Sequence, residues 1–203
     1  MKFKRIVCPC CGKEADIPLG EYSAGFDFNY STIINSVKEF FDLVDVCPNC
    51  GYAMLFDNSV SNDTRAYIQS EEYRNIVENN NIERGLKNWI LLAMVLEQDD
   101  NFTEAGIAYG KAYDYLALKS MPLDKRLIEK SASCHLSAAD EYTSFADALL
   151  AVDAMRRDGE FEQAKHFLDV TCSTFSGELV DKLSWKEKMW IDLRETEKRY
   201  LDI

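Results

Sequence analysis

Two cysteine pairs near the N-terminus carry the clearest chemical signal in the sequence. The first run reads Cys8-Pro9-Cys10-Cys11-Gly12 and the second Cys47-Pro48-Asn49-Cys50-Gly51, so both are C-P-x-C-G. Cysteines three positions apart on a tight turn direct both sulfurs at one centre, and the following glycine relieves the backbone where it turns sharply. Four thiolates from two such turns complete a tetrahedral shell. The sequence therefore predicts one structural zinc site made of Cys8, Cys11, Cys47 and Cys50.

The expected cellular location and the number of ligands both favour a structural metal site. The N-terminus runs into Cys8 without the apolar segment of a signal peptide, so we expect a cytoplasmic location. In that compartment thiolate–metal binding is favoured over disulfides. A catalytic zinc keeps a coordination position open for water, whereas four thiolates leave none. We therefore expect one Zn²⁺ with a structural role.

Cys10 is a fifth cysteine inside the first knuckle. It lies between two predicted ligands, at the variable position of the motif. An inert spare residue is the commoner situation, because reactive thiols are rare. The alternative is a free, accessible thiol activated by the field of the metal, which would make the chain a thiol redox sensor. Cys10 is thus a candidate reactive thiol.

The other candidate groups favour structural roles. Cys134 and Cys172 lie on helical faces among apolar residues, where buried, inert thiols are ordinary. His135 and His166 share no ligand spacing with a cysteine or carboxylate, so surface or half-buried positions are expected. The sequence has no G-x-S-x-G, P-loop or dinucleotide-binding glycine motif. We therefore expect no enzyme and no catalytic residues.

The charge balance limits the class of partner. The formal net charge is −12, from 23 Lys and Arg against 35 Asp and Glu. Residues 1–56 hold five basic and seven acidic residues, and the other 147 hold 18 and 28. Nucleic-acid binding ordinarily needs a basic face that releases counterions, so this class is disfavoured. No apolar run approaches the roughly 20 residues of a membrane span, so no membrane partner is expected.

The elements that position the cysteines are predicted to be short strands. Strands are expected at 3–7 and 13–19 around the first knuckle and at 40–46 and 52–56 around the second. The 35-residue spacer between Cys11 and Cys47 is predicted to hold a loop at 21–30 and a short helix capped by Ser31-Thr32. Residues 1–57 therefore form a zinc-ribbon-like β module, and 58–203 a separate helical domain.

Beyond residue 58 the apolar spacing becomes helical. We predict two short helices or one bent helix at 63–69 and 71–78, with Ser70 as N-cap between them. Further helices are predicted at 82–98, 102–118, 123–142, 145–157 and 160–174. Gly177 and Leu183 are expected to bound a loop, with Ser184 capping a last helix. The fold class predicted is thus mainly α, a zinc-ribbon-like module followed by a repeat-like helical domain.

Two helix pairs share an internal pattern that resembles the tetratricopeptide repeat. Small alanines let paired helices approach closely while larger residues fill the gaps between them. The predicted repeat-packing residues are Trp89, Leu92, Ala93, Ala105, Tyr109 and Ala112 in the first copy, and Gly159, Phe161 and Ala164 in the second. Ala105 and Ala164 are 59 positions apart, which is not a multiple of the 34-residue period, so an extra or degenerate helix must lie between the copies.

The whole arrangement resembles an uncharacterised bacterial family, a domain of unknown function that joins an N-terminal double-CPxCG zinc ribbon to tetratricopeptide-like helices. The likeness rests on both knuckles, the Trp89 to Ala112 pair, the Gly159 to Ala164 turn and the segment 188–194. It implies zinc and a scaffold, and no reaction. The leading hypothesis is a non-enzymatic module that binds a protein or peptide, with a basic partner favoured by the acidic charge. Nucleic-acid binding through the ribbon and redox sensing through Cys10 are the alternatives.

Overall fold

Eight helices and four short strands make up the described part of the chain. The computed structural model describes residues 2–19, 44–54, 60–139 and 144–197. The described residues are mainly helical, which confirms the predicted fold class. The predicted loop at 21–30 and the helix after Ser31-Thr32 lie outside the described residues, and so does the predicted boundary at residues 57 and 58.

The strands form two antiparallel pairs, and each pair carries one knuckle at its turn. β1 (Lys2–Val7) pairs with β2 (Glu14–Leu19), with Val7 opposite Glu14. β3 (Asp45–Val46) pairs with β4 (Ala53–Met54), with Val46 opposite Ala53. The second pair is shorter within the described residues than the predicted strands at 40–46 and 52–56.

Two short helices connect the strands to the helical stack. α1 (Asn62–Tyr67) begins after Ser61 and α2 (Glu71–Glu78) after Ser70, and each serine hydroxyl accepts a hydrogen bond from a backbone N–H of the first turn. Such caps satisfy a donor that the helix leaves without an intrahelical partner. The predicted Ser70 cap is therefore confirmed.

Six longer helices pack on one another in chain order. They are α3 (Arg84–Gln98), α4 (Phe102–Leu118), α5 (Lys125–Ala139), α6 (Phe145–Asp158), α7 (Phe161–Thr174) and α8 (Glu178–Asp192). Each helix from α3 to α7 packs against the one that follows it, and α6 also reaches α8. Short connections force consecutive helices into this neighbouring arrangement.

The prediction for the last helix is wrong at its start. α8 begins at Glu178, directly after Gly177, and Ser184 is buried in the middle of the helix. Gly177 has φ +137°, a conformation that other residues rarely adopt, so the chain turns there and not at Ser184. Glu178 and Asp181 then place carboxylates in the first turn, where the helix dipole favours negative charge.

The core has two parts. One hydrophobic cluster joins the knuckle cysteines and Tyr52 to Ile68, which follows α1, and to buried residues of α2 to α6, and a second lies among α6, α7 and α8. The ribbon and the first helices therefore share apolar packing. Among the described residues, no helix combines the length and apolar character that a membrane crossing requires.

Candidate metal centre

The first knuckle is built by its own backbone hydrogen bonds. The N–H of Cys8 donates to the carbonyl oxygen of Lys13 at 2.9 Å, and the N–H of Gly12 donates to that of Cys8 at 2.8 Å. Gly12 has φ +71°, in the left-handed region that favours glycine. This tight turn brings the side chains of Cys8 and Cys11 to the same side.

The second knuckle repeats this geometry. The N–H of Cys47 donates to Tyr52 at 2.9 Å, and the N–H of Gly51 donates to Cys47 at 2.8 Å. Gly51 has φ +78°. Two C-P-x-C-G segments thus adopt the same turn, as their common sequence predicts.

The four predicted ligands come together. The Sγ atoms of Cys8 and Cys50 are 3.7 Å apart, those of Cys11 and Cys47 are 3.9 Å apart, and all four lie within 4.8 Å of one another. A tetrahedral metal with bonds of about 2.3 Å to sulfur separates its ligands by about 3.8 Å. A disulfide would need about 2.05 Å, and all four cysteines are free. The spacing therefore fits four thiolates around one metal ion.

Burial makes metal-free thiolates energetically unfavourable in the four-cysteine cluster. Burial raises the pKa of Cys8 to about 11 and also raises that of Cys50. At Cys11 burial acts in the same direction, but hydrogen bonds from the Lys13 backbone and from the neighbouring cysteines outweigh it and lower the pKa. A divalent cation offsets the cost of buried negative charge and displaces the thiol protons. The donor set thus fits a metal that binds thiolate.

Helices α1 and α2 contact both knuckles through hydrogen bonds to their backbone carbonyls. The Arg65 guanidinium donates to the carbonyl oxygen of Pro9 at 2.8 Å, and Arg74 donates to that of Cys50 at 3.5 Å. The Tyr73 hydroxyl donates to the carbonyl oxygen of Gly51 at 2.9 Å. Four thiolates and a divalent ion leave two negative charges, so two arginines beside the knuckles supply compensating charge. The sequence pattern did not point to these residues.

Cys10 is not exposed at the surface. Its residue is buried, with 7% of its surface accessible, and burial raises the pKa of its thiol. This burial does not agree with the alternative of an accessible thiol, and Arg65 of α1 donates to the carbonyl oxygen of the adjacent Pro9. Whether Cys10 reacts stays a prediction.

The remaining cysteines and histidines divide in an unexpected way. Cys134 is buried, as predicted, but Cys172 is exposed. His166 is exposed, as expected, whereas His135 is buried and its Nδ1 lies 3.2 Å from Asp147 Oδ1. His135 fits because Gly106 on α4 has no side chain; a Cβ there would approach His135 Nε2 to 2.7 Å. A histidine opposite a glycine on a neighbouring helix leaves no signal in a single helix pattern.

The residues predicted to pack the helix pairs are placed at the helix contacts. Those of the first copy are all buried: Trp89, Leu92, Ala93, Ala105, Tyr109 and Ala112. In the second copy Ala164 is buried, Phe161 is half-buried and opens α7, and Gly159 is the left-handed C-cap of α6 with φ +90°. α5 lies between the two copies, where the 59-residue offset predicted an additional helix.

A buried ion-pair network in the second half of the chain was missed by sequence reasoning. Arg156 donates from Nε to Glu187 at 3.2 Å and also pairs with Asp153, while Arg157 pairs with Asp114. Arg156 also donates to the backbone carbonyl of Glu197 at 3.0 Å. The i, i+3 spacing of Asp153 and Arg156 was visible, but such pairs are ordinary on exposed helix faces, so it did not indicate burial.

The comparisons with known proteins give no relative. A scan against protein-family models, a search of curated proteins and a search of solved structures each find no match to this chain. The four-cysteine cluster and the helical stack are thus the features from which a function is inferred.

Proposed function

We propose that this protein is a non-enzymatic, zinc-stabilised scaffold whose helices bind a protein or peptide. The convergence of Cys8, Cys11, Cys47 and Cys50 within 4.8 Å carries the proposal. Among biological metals, four thiolates in a tetrahedral set suit zinc or iron–sulfur centres, and zinc suits a structural role because it has no redox chemistry. A closed shell of four ligands holds the two hairpins together and offers no position for a substrate.

The helical stack supports the scaffold part of the proposal. Its first helix pair buries Trp89, Ala93 and Ala105 at the positions that a tetratricopeptide-like repeat uses for packing. Stacked helix pairs present extended surfaces that suit peptide ligands. This order of ribbon and helices is also the basis for proposing kinship with the bacterial zinc-ribbon and repeat family that the sequence resembles.

The charge favours a basic partner in a cytoplasmic setting. A net charge of −12 raises the local concentration of cationic ligands and repels nucleic acid. The two arginines beside the knuckles, Arg65 and Arg74, donate to backbone carbonyls of the ribbon. These guanidinium groups keep their charge, but residues 1–56 hold seven acidic residues against five basic ones, so the ribbon offers phosphates no net positive charge.

Two measurements test the proposal. Protein purified without chelator is expected to carry about one zinc per chain by elemental analysis. Immobilised protein is then exposed to bacterial lysate at low and at moderate salt. Labelled peptides from the captured proteins are purified and tested for binding, together with versions in which the charges are inverted. Retention of basic peptides with a loss of binding at higher salt is expected. Recovery of no partner at any salt contradicts the scaffold role, and a shift of single- or double-stranded nucleic acid in a low-salt gel favours the ribbon alternative.

A further inference from the structure

Cys10 is a fifth buried thiol that lies next to the four-cysteine cluster. It belongs to the same hydrophobic core cluster as Cys8, Cys47 and Cys50. Its side chain has a hydrogen-bonding interaction with that of Cys50, and it interacts through charge with Cys11 and Cys47. The four sulfurs that lie within 4.8 Å of one another do not include that of Cys10. Cys10 is therefore outside the predicted ligand set but interacts directly with one member of it.

The second knuckle shows that the turn does not require a cysteine at this position. Asn49, which corresponds to Cys10, is exposed, and its side-chain amide donates to the carbonyl oxygen of Glu14 at 3.3 Å. The two knuckles nevertheless have the same backbone hydrogen bonds and the same positive φ at the glycine. The C-P-x-C-G turn alone therefore does not account for a buried thiol at Cys10.

A positive charge lies close to Cys10. Arg65 donates to the carbonyl oxygen of Pro9 at 2.8 Å, and its guanidinium favours negative charge on the Cys10 sulfur. Burial raises the pKa of Cys10, as it raises those of Cys8 and Cys50, so a thiolate at any of the three depends on a nearby cation. The surroundings of Cys10 thus resemble those of the predicted ligands themselves.

We propose that Cys10 is a reserve ligand, which takes the coordination position of Cys50 when Cys50 leaves the metal. This inference rests on the proposed metal site. In the exchange the thiol proton of Cys10 passes to the sulfur of Cys50, the bond between Cys50 and the metal breaks, and Cys10 forms a bond in its place. The number of thiolates and the charge stay the same, and no oxidant is needed. Because both sulfurs are buried, the exchange requires no access to solvent.

The first experiment compares the zinc content of full-length variants by elemental analysis. Cys50→Ala is expected to retain about one zinc per chain, because Cys10 completes the set of four thiolates. The double variant Cys10→Ala/Cys50→Ala is expected to lose the metal, whereas Cys10→Ala alone keeps it. Cys47→Ala is the matched control from the same knuckle, since Cys47 interacts with Cys10 through charge, and it is expected to lose the metal.

Cobalt(II) in place of zinc adds a spectroscopic readout of the same variants. The sulfur-to-cobalt charge-transfer absorption of Cys50→Ala is expected to match that of the wild type, since four thiolates remain. A weaker absorption overturns the reserve role, and so does equal metal content in Cys50→Ala and the double variant or in Cys50→Ala and Cys47→Ala. A wild type that carries no metal overturns the proposed metal site itself, so the two failures are distinguishable.

The second experiment leaves all four predicted ligands in place, so it does not depend on the folding of a ligand variant. Transfer of zinc to a chromogenic chelator is expected to be several-fold faster from Cys10→Ala than from the wild type, because a departing Cys50 is no longer replaced. Cys134→Ala is the matched control, since Cys134 is a buried cysteine outside the cluster. Equal rates for Cys10→Ala and the wild type overturn the proposal, and so does an equal acceleration by both substitutions.

Discussion

Tyr73 donates its phenolic hydroxyl to the carbonyl oxygen of Gly51, 2.9 Å away, and both residues are buried. This bond ties α2 to the residue that ends the second knuckle. Val77, one turn further along α2, packs against the same glycine. The four-cysteine cluster is therefore held in place by the first helices as well as by its own hairpins.

Loss of one ligand is expected to release the metal. Cys47→Ser leaves three thiolates, and structural zinc sites couple metal affinity to folding, so the free energy of unfolding falls by several kcal/mol. The β hairpins are expected to lose structure before α3 to α8. Elemental analysis and thermal unfolding followed by far-ultraviolet circular dichroism measure both effects. Cys172→Ser, an exposed cysteine outside the cluster, is the control. Full metal content in Cys47→Ser contradicts the assigned ligand set.

The two knuckle glycines are expected to respond differently to alanine. Both have positive φ, so either substitution costs about 1–2 kcal/mol in backbone strain. A Cβ at Gly12 meets no atom within 4 Å, whereas one at Gly51 approaches Val77 Cγ2 to 2.8 Å. Gly51→Ala is therefore expected to lower the midpoint of urea unfolding more than Gly12→Ala.

A second substitution separates strain from the clash. Val77→Ala removes both methyl groups that the new Cβ would meet. It is therefore expected to lower the midpoint of urea unfolding less in a Gly51→Ala background than in the wild type. Equal midpoints for the Gly12 and Gly51 variants, or simple additivity in the cycle, would show that α2 does not pack closely on the second knuckle.

Removing the Tyr73 hydroxyl is expected to weaken the contact between ribbon and helices. Tyr73→Phe leaves the buried Gly51 carbonyl without this donor, which costs about 1–3 kcal/mol of unfolding free energy. It is also expected to speed the transfer of metal to a chromogenic chelator. Tyr67→Phe is the matched control, because Tyr67 is half-buried and its ring stacks edge-on against Tyr73 at 5.8 Å. Chelation rates that are the same for the two variants would contradict this role.

The buried network is expected to make stability depend on pH. Two arginines, Arg156 and Arg157, face three carboxylates, Asp114, Asp153 and Glu187. Burial, with Asp153 adding to it, raises the pKa of Glu187 to about 8 from 4.5. Between these values the folded chain binds a proton that the unfolded chain has lost. The contribution of this protonation to the free energy of unfolding is therefore complete below pH 4.5 and disappears as the pH rises to 8.

Glu187→Gln tests this pH dependence because the amide keeps the shape and cannot ionise. The wild type is expected to lose stability relative to the variant from pH 5 to pH 8, by up to a few kcal/mol. Urea unfolding of both proteins at four pH values measures the difference, in which other titrating groups cancel. Parallel curves, or a wild type that loses stability relative to the variant as the pH falls, would contradict a raised pKa.

The sequence by itself determined the local chemistry of this protein. Cys-Pro-x-Cys-Gly is a short-range pattern, since spacing and the glycine conformation alone fix a turn that points two sulfurs one way; both knuckles and the four-sulfur cluster followed from it. The helices also followed, because apolar residues such as Trp89, Leu92 and Leu96 recur with the helical period. Capping by Ser70 was likewise a local property.

The tertiary structure decided everything that depends on contacts between distant segments. Cys10 is buried within the core cluster that the ribbon shares with the helices, His135 is buried against Gly106, and Cys172 is exposed because no described element covers it. The start of α8 was decided by the conformation of Gly177, which competed with a plausible serine cap further along. Arg156 became a buried network centre because Glu187, 31 residues away, folds onto it. The burial of a residue depends on the segments that pack against it, and the apolar periodicity of one helix does not identify those segments.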